Sequence, residues 1–184
     1  MKTLTDHLAQ YAAYHRDPRN ISTHFVGVPM IVLAVATLLS GASFDLGTIS
    51  ISLAMLVTAA TCIFYFRLDF RFGVIMTALL AITLIVANWL AGLSTSNWLL
   101  AGIGLFVIGW IIQFVGHYYE GKKPAFVDDL VGLLVGPLFL VAEAAFALNL
   151  RLDVKEAVES RVGKVRQRDS ALSADDGFHH HRGV

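Results

Sequence analysis

Charged side chains are scarce in this sequence. They make up 15% of its 184 residues while 56% are hydrophobic, against about 25% charged in soluble domains. A surface so short of charge cannot be wetted all round, and the mean hydropathy of +0.65 points to a membrane. Lysine plus arginine equals aspartate plus glutamate at 14 each, so there is no basic excess to make nucleic acid a partner. Cysteine is nearly absent. The single Cys62 lies inside an apolar run, can form no intrachain disulfide and reads as a small packing residue. The sequence has no G-x-S-x-G elbow, P-loop or reactive-cysteine setting, which removes the hydrolase and nucleotide chemistry those motifs serve. There is no internal repeat. The first twenty-four residues hold no apolar stretch of the signal-peptide kind, so the first apolar run is expected to act as its own insertion signal.

Long apolar stretches are what the chain has in quantity. Before them, Leu4, Leu8, Tyr11 and Ala12 at helical spacing predict a short amphipathic helix, and Asp17-Pro18-Arg19-Asn20 predicts a turn. Four runs follow, Phe25 to Phe44, Gly47 to Phe66, Phe72 to Leu93 and Asn97 to Val115. Each is near the roughly 20 residues a helix needs to cross about 30 Å of hydrocarbon. Trp89, Trp98 and Trp110 include two near a run's end, where interfacial anchors belong, and Asn88 is expected to bond between helices. A fifth run, Leu130 to Leu150, contains Gly132, Gly136-Pro137 and Glu143. An interior proline removes a helical hydrogen bond, and a carboxylate near mid-bilayer costs about 2.5–3.5 kcal/mol on insertion scales.

Basic residues choose the topology. With a cytoplasmic amino terminus, Lys2, Arg16, Arg19, Arg67, Arg71, Lys122 and Lys123 all lie inside, and the outer loops near 41–46 and 92–97 hold neither lysine nor arginine. A simple fifth span would carry Arg151 and every later basic residue outside. A re-entrant or interfacial segment broken at Gly136-Pro137 keeps them inside, provided protein or a polar cavity covers its irregular backbone. The expected fold is all-α: a polytopic membrane helix bundle of four transmembrane helices plus a re-entrant or interfacial broken helix. Residues 1–24 form a cytoplasmic amphipathic helix and His-containing turn, 25–150 the transmembrane bundle, and 151–184 a cytoplasmic helix and disordered tail. Asp128 and Asp129 read as a solvated turn, and His179, His180 and His181 as part of a solvated tail. A bacterial inner membrane, with both termini cytoplasmic, is the expected location.

This topology gathers the ionisable residues at one depth. His15 and His24 flank the first turn, and Asp69 sits in the loop between the second and third spans. Gln113, His117 and Glu120 are spaced i, i+4 and i+7, so a continuing helix puts all three on one face. Glu143 in the fifth run can approach the same face, and an ionisable group at depth is a functional candidate. Neutral imidazoles and carboxylates with an open position are what an oxygen-activating ferrous site requires. His-x-x-Glu on one face also resembles, in reverse order, the Glu-x-x-His pairs of bundle di-iron sites. Each histidine can equally be an interfacial residue near a helix's negative end. His7 reads as solvated. Arg16 and Arg19 can snorkel to headgroups or hold a substrate carboxylate.

Two segments carry a family resemblance. Tyr14-His15-Arg16-Asp17-Pro18-Arg19-Asn20 with His24-Phe25-Val26-Gly27-Val28-Pro29, and Gln113-Phe114-Val115-Gly116-His117 with Glu120-Gly121-Lys122-Lys123-Pro124-Ala125, resemble signatures of the 2-hydroxy fatty acid dioxygenase family, first defined in yeast. Pro137-Leu138-Phe139 and Glu143 resemble a third, so the resemblance spans residues 1 to about 150. It implies a membrane enzyme that uses Fe(2+) and dioxygen to shorten a 2-hydroxy fatty acid by one carbon, an α-oxidation. His15, His24 and His117 become the leading metal ligands and, with Glu120, the catalytic set. Asp69, Glu120 and Glu143 are further ligand candidates, or groups that orient the imidazoles. Arg16, Arg19, Asn20 and Gln113 are expected on the substrate, whose tail lies among the helices and membrane lipid. The alternatives are a non-enzymatic small membrane transporter or assembly factor, and a di-iron lipid hydroxylase. The spans nearly bare of charge disfavour a transporter. The absence from the bundle of H-x-x-x-H and H-x-x-H-H boxes disfavours the hydroxylase.

Overall fold

The computed structural model describes residues 2–125 and 131–166. Helix α1, Leu4–Ala12, opens on a reciprocal cap: Thr3 Oγ1 accepts the Asp6 N–H at 3.2 Å, and the Asp6 carboxylate accepts the Thr3 N–H at 2.7 Å. Its face of Leu4, Leu8, Tyr11 and Ala12 is buried, as the spacing predicts. Helix α2, Pro18–Ser40, starts with Asp17 as its cap and Pro18 at its first position, where a missing N–H costs nothing. His24 therefore lies inside the first long helix rather than ahead of it.

The segment after α2 departs from expectation. Ser43–Leu46 (β1) and Ile49–Ser52 (β2) pair antiparallel, with Leu46 opposite Ile49 and Gly47 in the left-handed region at φ +66°. The second apolar run thus becomes a hairpin strand followed by α3, Leu53–Leu68, capped by Ser52. Helix α4, Phe70–Ala91, is capped by Asp69, and α5, Thr95–Glu120, continues through His117 to Gly121 at φ +68°. Three helices, α2, α4 and α5, are long and apolar enough to cross a membrane, and α3 is a shorter apolar helix.

The fifth run is broken, but not where its proline suggests. Helix α6, Gly132–Ala147, continues through Pro137 in its interior, and Tyr65 donates to the Leu134 carbonyl at 2.7 Å on the turn beneath it. The chain turns at Asn149 and Arg151, both with positive φ, and α7, Leu152–Val162, leaves at 113° to α6. Arg151 is fixed there by Asp69 at 3.0 Å and lies over the Phe72 ring. Asn88 is exposed, and among the described residues no side-chain bond joins it to another helix. The expected tail histidines, Asp128 and Asp129 lie outside the described residues.

Helices α2 and α5 approach closely because glycines face each other. A Cβ on Gly27 would lie 2.9 Å from the Gly109 carbonyl, and one on Gly109 would lie 2.7 Å from Ile31 Cγ1, the small-residue contact of membrane helix pairs. The buried core concentrates at the end where α1, α6 and α7 meet, with Leu8, Leu138, Phe139, Val154 and Val158. Flanks of the long helices stay apolar and exposed, Ile85 at 70% and Leu100 at 73%, as a surface facing lipid does.

Candidate metal centre

Only two residues separate His15 from Pro18, so the link from α1 to α2 is tight, and its polar groups are buried. His15 sits in the middle of this link, His24 lies within the first turns of α2, and His117 lies in the last turn of α5; all three side chains are buried. Their ring centroids are 4.4 Å apart for His15–His24 and 5.0 Å for each of the other two pairs. One ligand-type atom from each lies within 4.8 Å of the others, and among the described residues no carboxylate joins this group.

Hydrogen bonds assign the protons. His15 Nδ1 contacts the Tyr11 carbonyl at 2.8 Å, and His24 Nδ1 contacts the Asn20 carbonyl at 2.8 Å. A carbonyl only accepts, so both Nδ1 atoms carry hydrogen and both Nε2 atoms of the neutral rings are bare. Those two Nε2 atoms face each other at 2.9 Å. Lone pairs so close repel unless a cation serves both. A proton is disfavoured: burial first, then the neighbouring His24, His117 and Arg16, hold His15 well below the usual histidine range. A metal ion fits, since two nitrogens about 2.1 Å from one ion at a right angle lie about 3.0 Å apart. His117 adds a buried Nδ1 with no hydrogen-bond partner among the described residues. Carbonyl bonds to the far ring nitrogen are how ligating histidines are commonly oriented, and the all-imidazole donor set suits a borderline divalent ion such as iron or zinc.

Glu120 braces this arrangement from outside. Its Oε2 accepts from the Arg16 N–H at 2.9 Å, the Asp17 N–H at 2.7 Å and Asn20 Nδ2 at 3.2 Å, which pins the α1–α2 link to the end of α5. Arg16 gives Nε to the Ala12 and His15 carbonyls and Nη1 to the Gly163 carbonyl, and its buried Nη2 has no partner among the described residues. Arg19 pairs with Asp17 at 2.7 Å and lies over the Tyr119 ring, and that arginine lowers the Asp17 carboxyl to about 2.

His24 and His117 border a cleft lined among others by Tyr11, Val28, Trp110, Gln113 and Gly136, and His15 lies behind it. Gln113 Nε2 is buried there without a partner among the described residues. Tyr11 stacks on His15 at 4.2 Å, with its hydroxyl 2.9 Å from where a Gly136 Cβ would sit. Burial pushes the Tyr11 phenol well above its usual range, so it stays a donor.

A buried histidine group under a cleft at one end of an apolar bundle can be compared with known proteins. The family profile described as 2-hydroxy-palmitic acid dioxygenase Mpo1-like matches residues 1–148. The chain belongs to the Mpo1-like family. It is similar to 2-hydroxy-palmitic acid dioxygenase MPO1 of Saccharomyces cerevisiae, with 32% identity over 169 residues, 90% of this chain and 92% of the relative. No solved structure matches it. The profile covers α1 to α6, and so all three histidines.

In this Mpo1-like chain the residues singled out from sequence divide. The structure brings together His15, His24 and His117, with Gln113 beside them, and sets Glu120 and Asn20 behind them as braces. It does not bring in Asp69, which caps α4 and pairs with Arg151. Glu143 lies in a separate polar pocket with Arg16, Lys155 and Glu159. Arg16, Arg19 and Asn20 do not line the histidine cleft. Tyr11 was read from sequence only as part of an apolar face. The available signal was its place four residues before His15, one turn away on a helix.

Proposed function

We propose that this Mpo1-like chain is an Fe(2+)-dependent dioxygenase that shortens 2-hydroxy fatty acids by one carbon at the membrane interface. The observation that carries the reading is the pair of bare Nε2 atoms at 2.9 Å, with His117 as the third donor, beneath a cleft with polar atoms at its base and apolar walls. The three imidazoles would hold a ferrous ion, which would supply the dioxygen and electron-transfer chemistry. The protein's own groups bind and orient. Gln113 Nε2 and the Tyr11 hydroxyl are the donors that face the cleft, and they take the carboxylate and 2-hydroxyl in place of Arg16 and Arg19. Val28, Ile31, Val32 and Trp110 keep water from the first carbons of the tail. Glu120 and the Tyr11 and Asn20 carbonyls keep the imidazoles in register.

The reaction balances without a further reductant. R–CH(OH)–COOH and one dioxygen give R–COOH, carbon dioxide and water, the carbon chain losing the four electrons that dioxygen gains. The test is metal analysis of anaerobically purified protein followed by oxygen uptake with 2-hydroxypalmitate. Stoichiometric iron and uptake matched by the acid one carbon shorter are expected, and His15→Ala, His24→Ala and His117→Ala each abolish both. Zinc in place of iron with no oxygen uptake would overturn the reading, as would full activity in all three variants.

A further inference from the structure

The histidine cleft does not end at Trp110. A second, almost wholly apolar groove continues from it and shares Ile31, Val32, Trp110, Leu133 and Pro137. Its floor is one face of α2, where Ile31, Val32, Val35, Ala36 and Leu39 recur at helical spacing, and α3 faces it with Ala54, Val57 and Thr61. The hydroxyls of Thr61, Thr83 and Tyr65 each donate to a backbone carbonyl. Their protons are thus used, and Thr58 is the remaining hydroxyl on a lining otherwise dominated by apolar side chains, which suits methylenes.

The length is informative. Leu39 follows His24 by fifteen residues on a continuous helix, about 22 Å at about 1.5 Å per residue. One leaflet's acyl chains span about 15 Å, half of the roughly 30 Å hydrocarbon layer. The groove is therefore deep enough for the whole tail of a membrane-type fatty acid whose head lies at the histidines.

We infer that this groove is the tail site of the 2-hydroxy fatty acid, and that Ala36, Leu39 and Ala54 at its far end set the longest chain accepted. The inference rests on the proposed reaction for the head's position. Continuity with the cleft selects the substrate as occupant over a bilayer lipid, whose headgroup would have to sit on the histidines.

The test uses the full chain in phospholipid nanodiscs and a 2-hydroxy fatty acid bearing a photoreactive diazirine at its terminal carbon. The expected cross-links fall on Leu39, Ala54 and Val57, and are lost on competition with 2-hydroxypalmitate but not with added phospholipid. In turnover, Ala36→Phe and, independently, Ala54→Leu shift the ratio of 2-hydroxylaurate to 2-hydroxystearate consumption about tenfold toward the shorter acid, the weight of about two buried methylenes. Absent cross-links, cross-links on the outer faces of α4 or α5, or competition by phospholipid overturn the tail site. So does a chain-length profile that neither variant alters. Should the reaction itself be wrong, oxygen uptake is absent with every acid while the cross-link map stands.

Discussion

Glu120 shows how much of this centre depends on a residue that does not face it. Its side chain is fully buried and collects two backbone N–H groups and the Asn20 amide. Removing the carboxylate leaves those donors buried and unpaired, at about 1–3 kcal/mol each. Glu120→Ala is expected to lower metal retention on dialysis about 10–100-fold and to lower the melting temperature, with Glu120→Gln recovering much of both because it keeps two acceptor positions. Equal retention in wild type and Glu120→Ala would refute the bracing role. Gln113→Leu tests the cleft separately: it raises KM for the 2-hydroxy acid and leaves iron content untouched. The sequence showed that His117 and Glu120 share a face. It could not show which of them turns toward the histidines, because the decisive donors belong to Arg16 and Asp17, a hundred residues earlier. Tyr11 stayed hidden for a related reason: one residue can serve an apolar face with its ring and a polar cleft with its hydroxyl.

At the level of helices, close approach of α2 and α5 sets where His24 stands relative to His117. Gly109→Ala forces a Cβ against Ile31 and the Gly27 carbonyl and is expected to destabilise by about 1–3 kcal/mol with reduced metal content. Gly104→Ala on the same helix meets nothing within 4 Å and leaves melting and metal unchanged. Equal melting temperatures would show that α2 and α5 have slack. The outer clamp is α1 on α7, where Arg161 reaches Asp6 at 2.6 Å. The Thr3 N–H first, and then Arg161, hold Asp6 well below the carboxylate range. A depressed folded pKa contributes stability that is present above the unfolded value, about 3.9, and lost as pH falls through the folded one. Asp6→Asn should therefore speed amide exchange across Leu4–Ala12 at neutral pH, whereas wild type loosens only in acid. The long helices were legible because apolar length alone encodes them. The hairpin was not, since β2 lies within the second apolar run and β1 straddles the end of the first and the loop after it. The bend was misplaced because α6 accommodates Pro137 in its interior, while the turn belongs to left-handed Asn149 and Arg151, which carry no strong breaker signal.

Taken whole, the molecule is polar at one end and bare of positive charge at the other. The histidines, α1, α7, Arg151, Arg161 and the Asp69 cap share one end, and β1–β2 and residues 92–94 close the other without a lysine or arginine. Between them lie the exposed apolar flanks of α2, α4 and α5. Basic residues in short loops resist translocation, so we propose that the histidine end is cytoplasmic, in a bacterial inner membrane, and that the substrate head enters from that side while its tail lies along α2. The strands β1 and β2 also close the distance that α3 leaves, since its 16 residues cover only about 24 Å of a roughly 30 Å layer. Orientation is tested in a Cys62→Ser background with a membrane-impermeant maleimide on intact bacterial cells. Thr48→Cys, exposed at the hairpin tip, should label from outside, and Ser160→Cys, exposed on α7, only after permeabilisation. The opposite pattern would put the centre on the outer face, and the free fatty acid pool it meets would then be extracellular. Labelling of both positions from outside would mean that α6 and α7 are not folded back together, and would overturn the arrangement that lets Gly163 hold Arg16.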